Sequence, residues 1–494
     1  MSSIVDYFLP RLPGINAGSN HYFVTKHSIF EEAGWDIHTG VSFWPSPSTS
    51  IVLGDAAAIK EVGSSRARFP KPVQQYASLA LYGPNIVVSE GEQWKRYRKI
   101  VAPAFSDRNN KMVWNETARI VNGLFETVWD GRDVVTVDHC LDITLPIALF
   151  VIGSAGFGKT LDWKEEAVLP PGHKISFKES LHTVTTRIFL RLVCPDWMLN
   201  LTERGRETLQ GFNELGVYMS EMVKERLTAE KVERHDLFSS LLASNNHEFD
   251  ASMLTEEELV GVLSFKMTLG YSVVYTIPGN IFIFLVAGHE TTAHTLCFAF
   301  ALLALYQQEQ ETLYQHIKSV LPGDKQPEYE DMSLLTHSIA VFYETMRLFP
   351  PVIGIPKFSA EDTVLEAGNI NGEKKTVVVP KGARVIISAP GVHYNPRYWE
   401  DPHDFKPSRF LKDWPRDAFV PFSVGARACI GRKFSETEGI AVLTILISKY
   451  KITVKEEPQF AGETFEQKKA RLLKSRPGIT LTPIRVPLVF TRRT

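Results

Sequence analysis

Apolar and polar positions divide the chain into three regimes. Through residue 60, Pro and Gly turns separate short strand-like runs such as TSIVLG. From Glu90 the pattern becomes mostly helical, through EGEQWKRYRKIVAPAF and KMVWNETARIVNGLFETVW and on to Val320. Acids and bases interleave in RGRETLQGFNELGVYMSEMVKERLTAEKVERH, which marks solvated helix faces. Between Glu344 and Phe410 strand character returns in VVVPKGARVIISAP, and a long helix, ETEGIAVLTILISKY, leads into a β-rich tail. The most apolar stretch, IPGNIFIFLVAGHETTAHTLCFAFALLALY, is interrupted by His289, Glu290 and His294. Ionisable groups at its middle make a membrane span costly, so the pattern predicts a buried helix carrying a polar patch. No repeat or low-complexity linker breaks the chain. The prediction is one domain, mainly α with a smaller β-rich part, although the length alone favours two or more.

Composition adds limits. With 494 residues, 44% hydrophobic and 22% charged, the chain has the make-up of a folded globular protein. A formal net charge of -2 carries no electrostatic footprint for nucleic acid. Cys140, Cys194, Cys297 and Cys429 lie far apart, without the spacing of a disulfide scaffold or a structural zinc site. The run GSAGFGKT, residues 153–160, matches the consensus of a phosphate-binding loop. Such a loop needs a strand before it and a helix after it. Upstream ITLPIALFVI reads as a strand or as part of a helix, while Pro170 and Pro171 stop any helix downstream. That context is missing, so the match reads as a chance one in a packing turn.

The strongest local signal is FVPFSVGARACIGRKFSETEG. Cys429 stands between Gly425 and Gly431, just ahead of a long apolar helix. The glycines permit close backbone approach to something flat or bulky, and nearby helix N–H groups favour a thiolate. One thiolate without neighbouring Cys or His suits an axial haem ligand better than zinc. A cysteine nucleophile and an inert buried thiol remain open. Glu344 and Arg347 in YETMRLFPP share a helix face among Phe342, Met346 and Leu348, and Arg409 is a third partner for a buried pair. In FIFLVAGHETTAHTL, Ala287 and Gly288 open space one turn before Thr291, which can bend the helix, and Glu290 is a charge in an apolar run.

Together these residues resemble the cytochrome P450 family of haem-thiolate monooxygenases. Phe422, Gly425, Arg427, Cys429 and Gly431 match the loop F-x-x-G-x-R-x-C-x-G, and Ala287, Gly288, Glu290 and Thr291 match A-G-x-[DE]-T. Glu344 and Arg347 match E-x-x-R; Trp94 and Arg98 match W-x-x-x-R; Trp399 to Phe410 carry W-x-[DE]-P…F-x-P-x-R-F, which includes Arg409. The resemblance runs from residue 45 to 485 and looks most like fungal members of the microsomal branch. It implies a single haem domain over residues 1–494, with 1–44 as a lead-in and 262–279 as an atypical insertion. The insertion, VLSFKMTLGYSVVYTIPG, reads as the translation of a retained intron.

The resemblance also assigns roles. Cys429 becomes the axial ligand of haem b, with Phe422 packed on the haem. Trp94, Arg98, Arg427 and Lys357 become partners of its propionates, Lys357 standing where the family often has Arg or His. Ala287 and Gly288 leave room for oxygen and substrate, while Thr291 and Glu290 handle protons. Glu344, Arg347 and Arg409 are structural. The implied reaction inserts one atom of O2 into an apolar organic substrate. Its electrons come from NADPH through NADPH–cytochrome P450 reductase, with cytochrome b5 as a second candidate donor. Lys95, Arg96, Lys99, Arg432 and Lys433 are the candidate docking charges. The alternatives are a peroxide-using peroxygenase or isomerase, and a haem-binding protein without turnover. Resemblance to the microsomal branch implies the cytosolic face of the endoplasmic reticulum, held by peripheral membrane association.

Overall fold

The computed structural model describes residues 18, 20–42, 48–159, 161, 163, 169–228, 238, 261–263, 275–277, 279–323 and 325–493. Its longer helices are α1 (Ala56–Ser64), α2 (Gly91–Val101), α3 (Asp107–Gly123), α4 (Leu141–Val151), α5 (Phe177–Val193), α6 (Glu203–Thr228), α7 (Gly279–Leu305), α8 (Gln307–Val320), α9 (Thr336–Leu348) and α10 (Arg432–Lys449). Local chemistry sets several starts. Asp55 caps α1 by accepting from the Ala58 N–H at 2.9 Å, and Ser106 caps α3. Ser176 and Glu179 form a reciprocal capping box on α5. Pro350 follows the end of α9.

The strands are β1 (Ile37–Ser42), β2 (Ser48–Leu53), β3 (Val134–Val137), β4 (Gly261–Leu263), β5 (Tyr275–Ile277), β6 (Gly354–Phe358), β7 (Thr363–Gly368), β8 (Lys374–Val379), β9 (Arg384–Ser388), β10 (Tyr450–Val454), β11 (Ser475–Arg476), β12 (Thr482–Pro483) and β13 (Leu488–Arg492). The largest sheet has the order β1-β2-β9-β6, with β2 parallel to β9 in the register Ile51↔Val385 and the other pairs antiparallel. A second sheet, β10-β13-β3, ties the tail to the strand after α3. TSIVLG, VVVPKGARVIISAP and the tail thus form strands as their patterns predict.

Helix α7 runs through the middle and packs on α4, α9 and α10. It is long and apolar enough to cross a membrane, but most of it is buried within the protein, as its ionisable middle predicts. The ambiguous ITLPIALFVI lies in α4, which continues as a wider turn over Ile152–Gly156. That decides GSAGFGKT. The segment follows a helix, and the N–H groups of Gly158 and Lys159 donate to Ser154 and Gly153 carbonyls at 2.9 and 3.0 Å, so neither faces a phosphate. Lys159 instead sits 5.3 Å over the Tyr218 ring. Thr160 lies outside the described residues.

Most of the segment 262–279 also lies outside the described residues. Its described ends pair as the antiparallel strands β4 and β5, with Val262 opposite Thr276.

Candidate active site

The loop from Phe422 to Gly431 is fixed by its backbone. Gly425 has φ +67, and a Cβ there would stand 2.0 Å from the Gly63 carbonyl oxygen of α1, so both conformation and space demand glycine. The Cys429 N–H donates to the Phe422 carbonyl at 2.8 Å, and the Ala428 N–H to Gly425 at 3.0 Å. Cys429 is exposed, whereas α10 is buried from Glu436 to Ile447. The sulfur nevertheless lies among protein mass. Burial pushes its thiol up, against the Gly431 N–H, Arg432 and Arg98, which hold it down. The helix-start effect expected from sequence is present, but desolvation is larger. The ionised sulfur therefore needs a cation against it to persist.

On α7, Ala287 is exposed and Gly288 and Thr291 are half-buried, in a helix otherwise buried on every side. The Thr291 hydroxyl donates to the Ala287 carbonyl at 2.8 Å, the back-bond expected for a locally bent helix. One residue on, the Thr292 hydroxyl is 3.1 Å from that of Ser435 in the first turn of α10, so this patch adjoins the helix that follows Cys429. Gly288 departs from expectation. A Cβ there would meet Ile152 at 3.1 Å, so the space it opens is filled by the turn after α4 rather than left for oxygen or substrate.

Glu290 is buried, and desolvation raises its carboxyl to about 7; a hydrogen bond from Thr185 and the charge of Arg476 oppose the rise. His289 turns away from this chemistry. It is buried, bonded to the Leu285 carbonyl at 2.8 Å, and burial lowers it to about 4, which keeps it neutral. Aromatic side chains from three separate segments converge beside α7. Tyr82 lies 4.6 Å from Phe282 and 6.2 Å from Phe212, and its hydroxyl donates to the Phe212 carbonyl at 2.8 Å.

Around Trp94 the structure gathers cations. Arg427, Arg66 and Arg98 lie 4.3, 4.7 and 5.7 Å from its ring. Lys357 is buried nearby; desolvation lowers it, then Arg427 and Arg66 do so against Glu90. Lys71 is lowered to about 7 by burial and by Arg427 and Lys357. Among the described residues one carboxylate, Glu90, answers this group, 2.7 Å from Arg427, and the buried Arg427 Nε has no hydrogen-bond partner. So many cations around one acid call for further negative charge. Sequence reading found Trp94, Arg98, Lys357 and Arg427 but missed Arg66, Lys71 and Glu90, which reach the group from different elements.

Glu344 and Arg347 are both 0% exposed and form a bidentate pair at 2.7 and 2.8 Å. Arg347 also donates to the carbonyls of His393, Pro402 and Asp404. Glu344 accepts from Arg409 at 3.3 Å and from the Lys406 N–H at 2.9 Å, so all three expected members meet.

Comparison with known proteins decides what this arrangement belongs to. The family model described as Cytochrome P450 matches residues 26–271 and 275–481. The chain is a cytochrome P450. It is similar to "Cytochrome P450 monooxygenase 124" of Postia placenta, 52% identical over 490 residues, covering 98% of this chain and 91% of the relative. It is also similar to "Cytochrome P450 monooxygenase ORF6" of Penicillium roqueforti, at 31% identity over 95% of this chain and 84% of the relative. The crystal structure of the cytochrome P450DA heme domain shares the fold, with a TM-score of 0.75 at 21% identity, covering 98% of this chain and 97% of that one. This P450 is therefore a haem-thiolate monooxygenase dependent on NADPH and O2, with the single-domain fold of its family. Membership implies haem b and an external electron donor. The residues fit such a group: a reachable thiol that needs a cation, beside a cationic cluster short of anions and an Arg427 Nε with no partner.

Proposed function

We propose that Cys429 is the axial ligand in this P450, and that its substrate is an apolar organic molecule held against α7. The observation that carries this reading is the reachable Cys429 sulfur, on a backbone-fixed loop next to the Trp94 cation cluster. Bound haem supplies reductive activation of O2. Phe422 would shield the sulfur, while Trp94, Arg98, Arg427, Lys357 and also Lys71 would hold the propionates. Glu90 keeps Arg427 oriented until those anions arrive. Screening the haem-loaded protein for substrate-induced Soret shifts, then measuring product with NADPH and a diflavin reductase, tests the reading; no shift with any apolar compound, or product from peroxide but none from NADPH and the reductase, would overturn it.

Thr291 and Glu290 move protons in this account. Thr291 is half-buried beside exposed Ala287, and its hydroxyl donates to the Ala287 carbonyl. Thr291→Ala is expected to lower product per NADPH by about tenfold or more, with peroxide making up the difference. Product and peroxide assays together check this, and tight coupling in the variant would refute the role. Glu290 is a proton donor whose acid form persists to about pH 7 because burial penalises its charge. Coupling should fall as pH rises through that value, where the donor form is lost. Glu290→Gln cannot titrate, so its coupling should be low at every pH and lack the inflection. An unchanged profile would remove Glu290 from the path.

For electron supply, the reading adds NADPH–cytochrome P450 reductase, with cytochrome b5 second, docked over Lys95, Arg96, Lys99, Arg432 and Lys433. Lys95 and Arg432 are each held by an acid of their own helix, Glu92 at 2.6 Å and Glu436 at 2.8 Å, so Lys99 and Lys433 offer the less shielded charge. Peripheral membrane association at the cytosolic face of the endoplasmic reticulum is supported by an apolar patch between α5 and α6. There Trp197 is 60% and Leu201 70% exposed, with Val193 and Met198 beside them.

A further inference from the structure

We propose that a cavity between α9 and α10 is a second binding site, specific for a small aromatic carboxylate. The cavity measures about 420 Å³ and is walled by Tyr343, Phe410, Trp414 and Phe419, with Arg416 and Arg432 beside them. None of its lining comes from α7, so it is separate from the patch of Ala287 and Thr291. Its size falls among sites that take small organic ligands.

The walls define the body of the ligand. Trp414 meets Phe410 at 63° and 5.1 Å, and Phe419 at 83° and 5.5 Å; Tyr343 meets Trp414 at 76° and 6.2 Å. The wall is thus built of edge-to-face rings, which suits one further planar ring.

The guanidinium groups define its charge. Arg416 lies 5.5 Å over the Trp414 ring, and its side chain has no hydrogen bond or ion pair among the described residues. Arg432 donates through Nε to Glu436 at 2.8 Å and through Nη2 to the Tyr343 hydroxyl at 3.3 Å, which leaves its Nη1 free of a hydrogen bond among the described residues. Tyr343 also donates to Glu436 at 2.6 Å, on the same Oε1 that Arg432 reaches, so the two share one carboxylate oxygen. An incoming carboxylate meets Arg416 as its own counter-ion and takes the outer donors of Arg432. The site is coupled to the cysteine loop. Arg432 stands 5.4 Å over Phe422, whose carbonyl accepts the Cys429 N–H. Occupancy therefore bears on that loop from the side away from substrate.

The test uses haem-loaded protein saturated with an azole, which occupies the distal side of the iron. Phenylacetate, phenylacetamide and hexanoate are titrated by calorimetry into this complex and into its Arg416→Gln variant. Phenylacetate is expected to bind with the azole still in place, about tenfold more tightly than either comparator. Arg416→Gln should abolish the preference of acid over amide while leaving the azole spectrum intact, since Arg416 is exposed. Equal binding of acid and amide, equal binding of phenylacetate and hexanoate, or indifference to Arg416→Gln would each overturn the proposal. So would binding of phenylacetate only when the azole is absent, which would place it in the substrate chamber. Failure of phenylacetate to bind, with Arg416→Gln weakening only the reductase complex, would make the cavity part of a protein interface and equally overturn it.

Discussion

Cys429→Ala is expected to yield a folded protein that has lost the reduced carbon-monoxide band for which the family is named, and all monooxygenase turnover with it. The two halves of this expectation rest on different observations. The loss follows from chemistry: Cys140, at the N-cap of α4, and Cys297 on α7 are buried together, and Cys194 caps the end of α5, so none of them belongs to this loop. An alanine offers the iron nothing in place of sulfur. The survival of the fold follows from packing. Cys429 is exposed, and what fixes its loop is the backbone, through the Phe422 and Gly425 carbonyls and the close approach of Gly425 to Gly63. The thiol has the Gly431 N–H as its partner, so its truncation costs about 1 kcal/mol, which leaves the fold standing. Difference spectra of the reduced, carbon-monoxide-bound protein check the first half, and thermal unfolding of the apoprotein the second. A persisting band would remove Cys429 from the iron. Collapse of the apoprotein would instead show that the sulfur holds the loop.

How much of this was legible beforehand depended on whether the decisive forces are local. The loop around Cys429 could be read because its demands, two glycines and a following helix, lie within ten residues. So could the Glu344–Arg347 pair, which one helical turn brings together. The region of α7 was legible because charges in an apolar run are costly wherever they fall. What stayed hidden depends on elements brought together by folding. Lys71 and Arg66 join Trp94 from the segment before α2, and neither has a local signal. Gly288 illustrates the converse. Its sequence neighbours suggested room for a ligand, yet Ile152, far away in the chain, occupies the space. The thiol of Cys429 shows a balance of forces that sequence could not weigh. The helix start lowers it as expected, but the amount of protein around the sulfur raises it more. GSAGFGKT, read as a chance match to a phosphate loop, shows why: its consensus is local, but its N–H groups are committed by the helix it ends.

Glu344→Ala should be the most damaging single change to the fold, leaving little haem-loaded protein. Glu344 accepts from Arg347 twice, from Arg409 and from the Lys406 N–H, and both ends of the pair are 0% exposed. Its removal leaves a buried guanidinium whose remaining partners are the carbonyls of His393, Pro402 and Asp404, which carry no net charge. Breaking one side of a buried ion pair costs about 3–5 kcal/mol, a large part of the roughly 5–15 kcal/mol that holds a domain together. The damage should travel, because Pro402, Asp404 and Lys406 belong to the segment that leads to the cysteine loop, and Arg347 fastens it to α9. The loss of charge and the loss of the side chain can be separated. Glu344→Gln keeps an acceptor for Arg347 and should fall between wild type and alanine in haem content and unfolding temperature. In the double variant Glu344→Ala, Arg347→Met, no buried cation is left unanswered, so part of the stability lost in Glu344→Ala should return, as a double-mutant cycle would register. If Glu344→Ala expresses normally with full haem, the pair does not hold this region. If the double variant is no more stable than Glu344→Ala, the unanswered charge is not the cause of the damage.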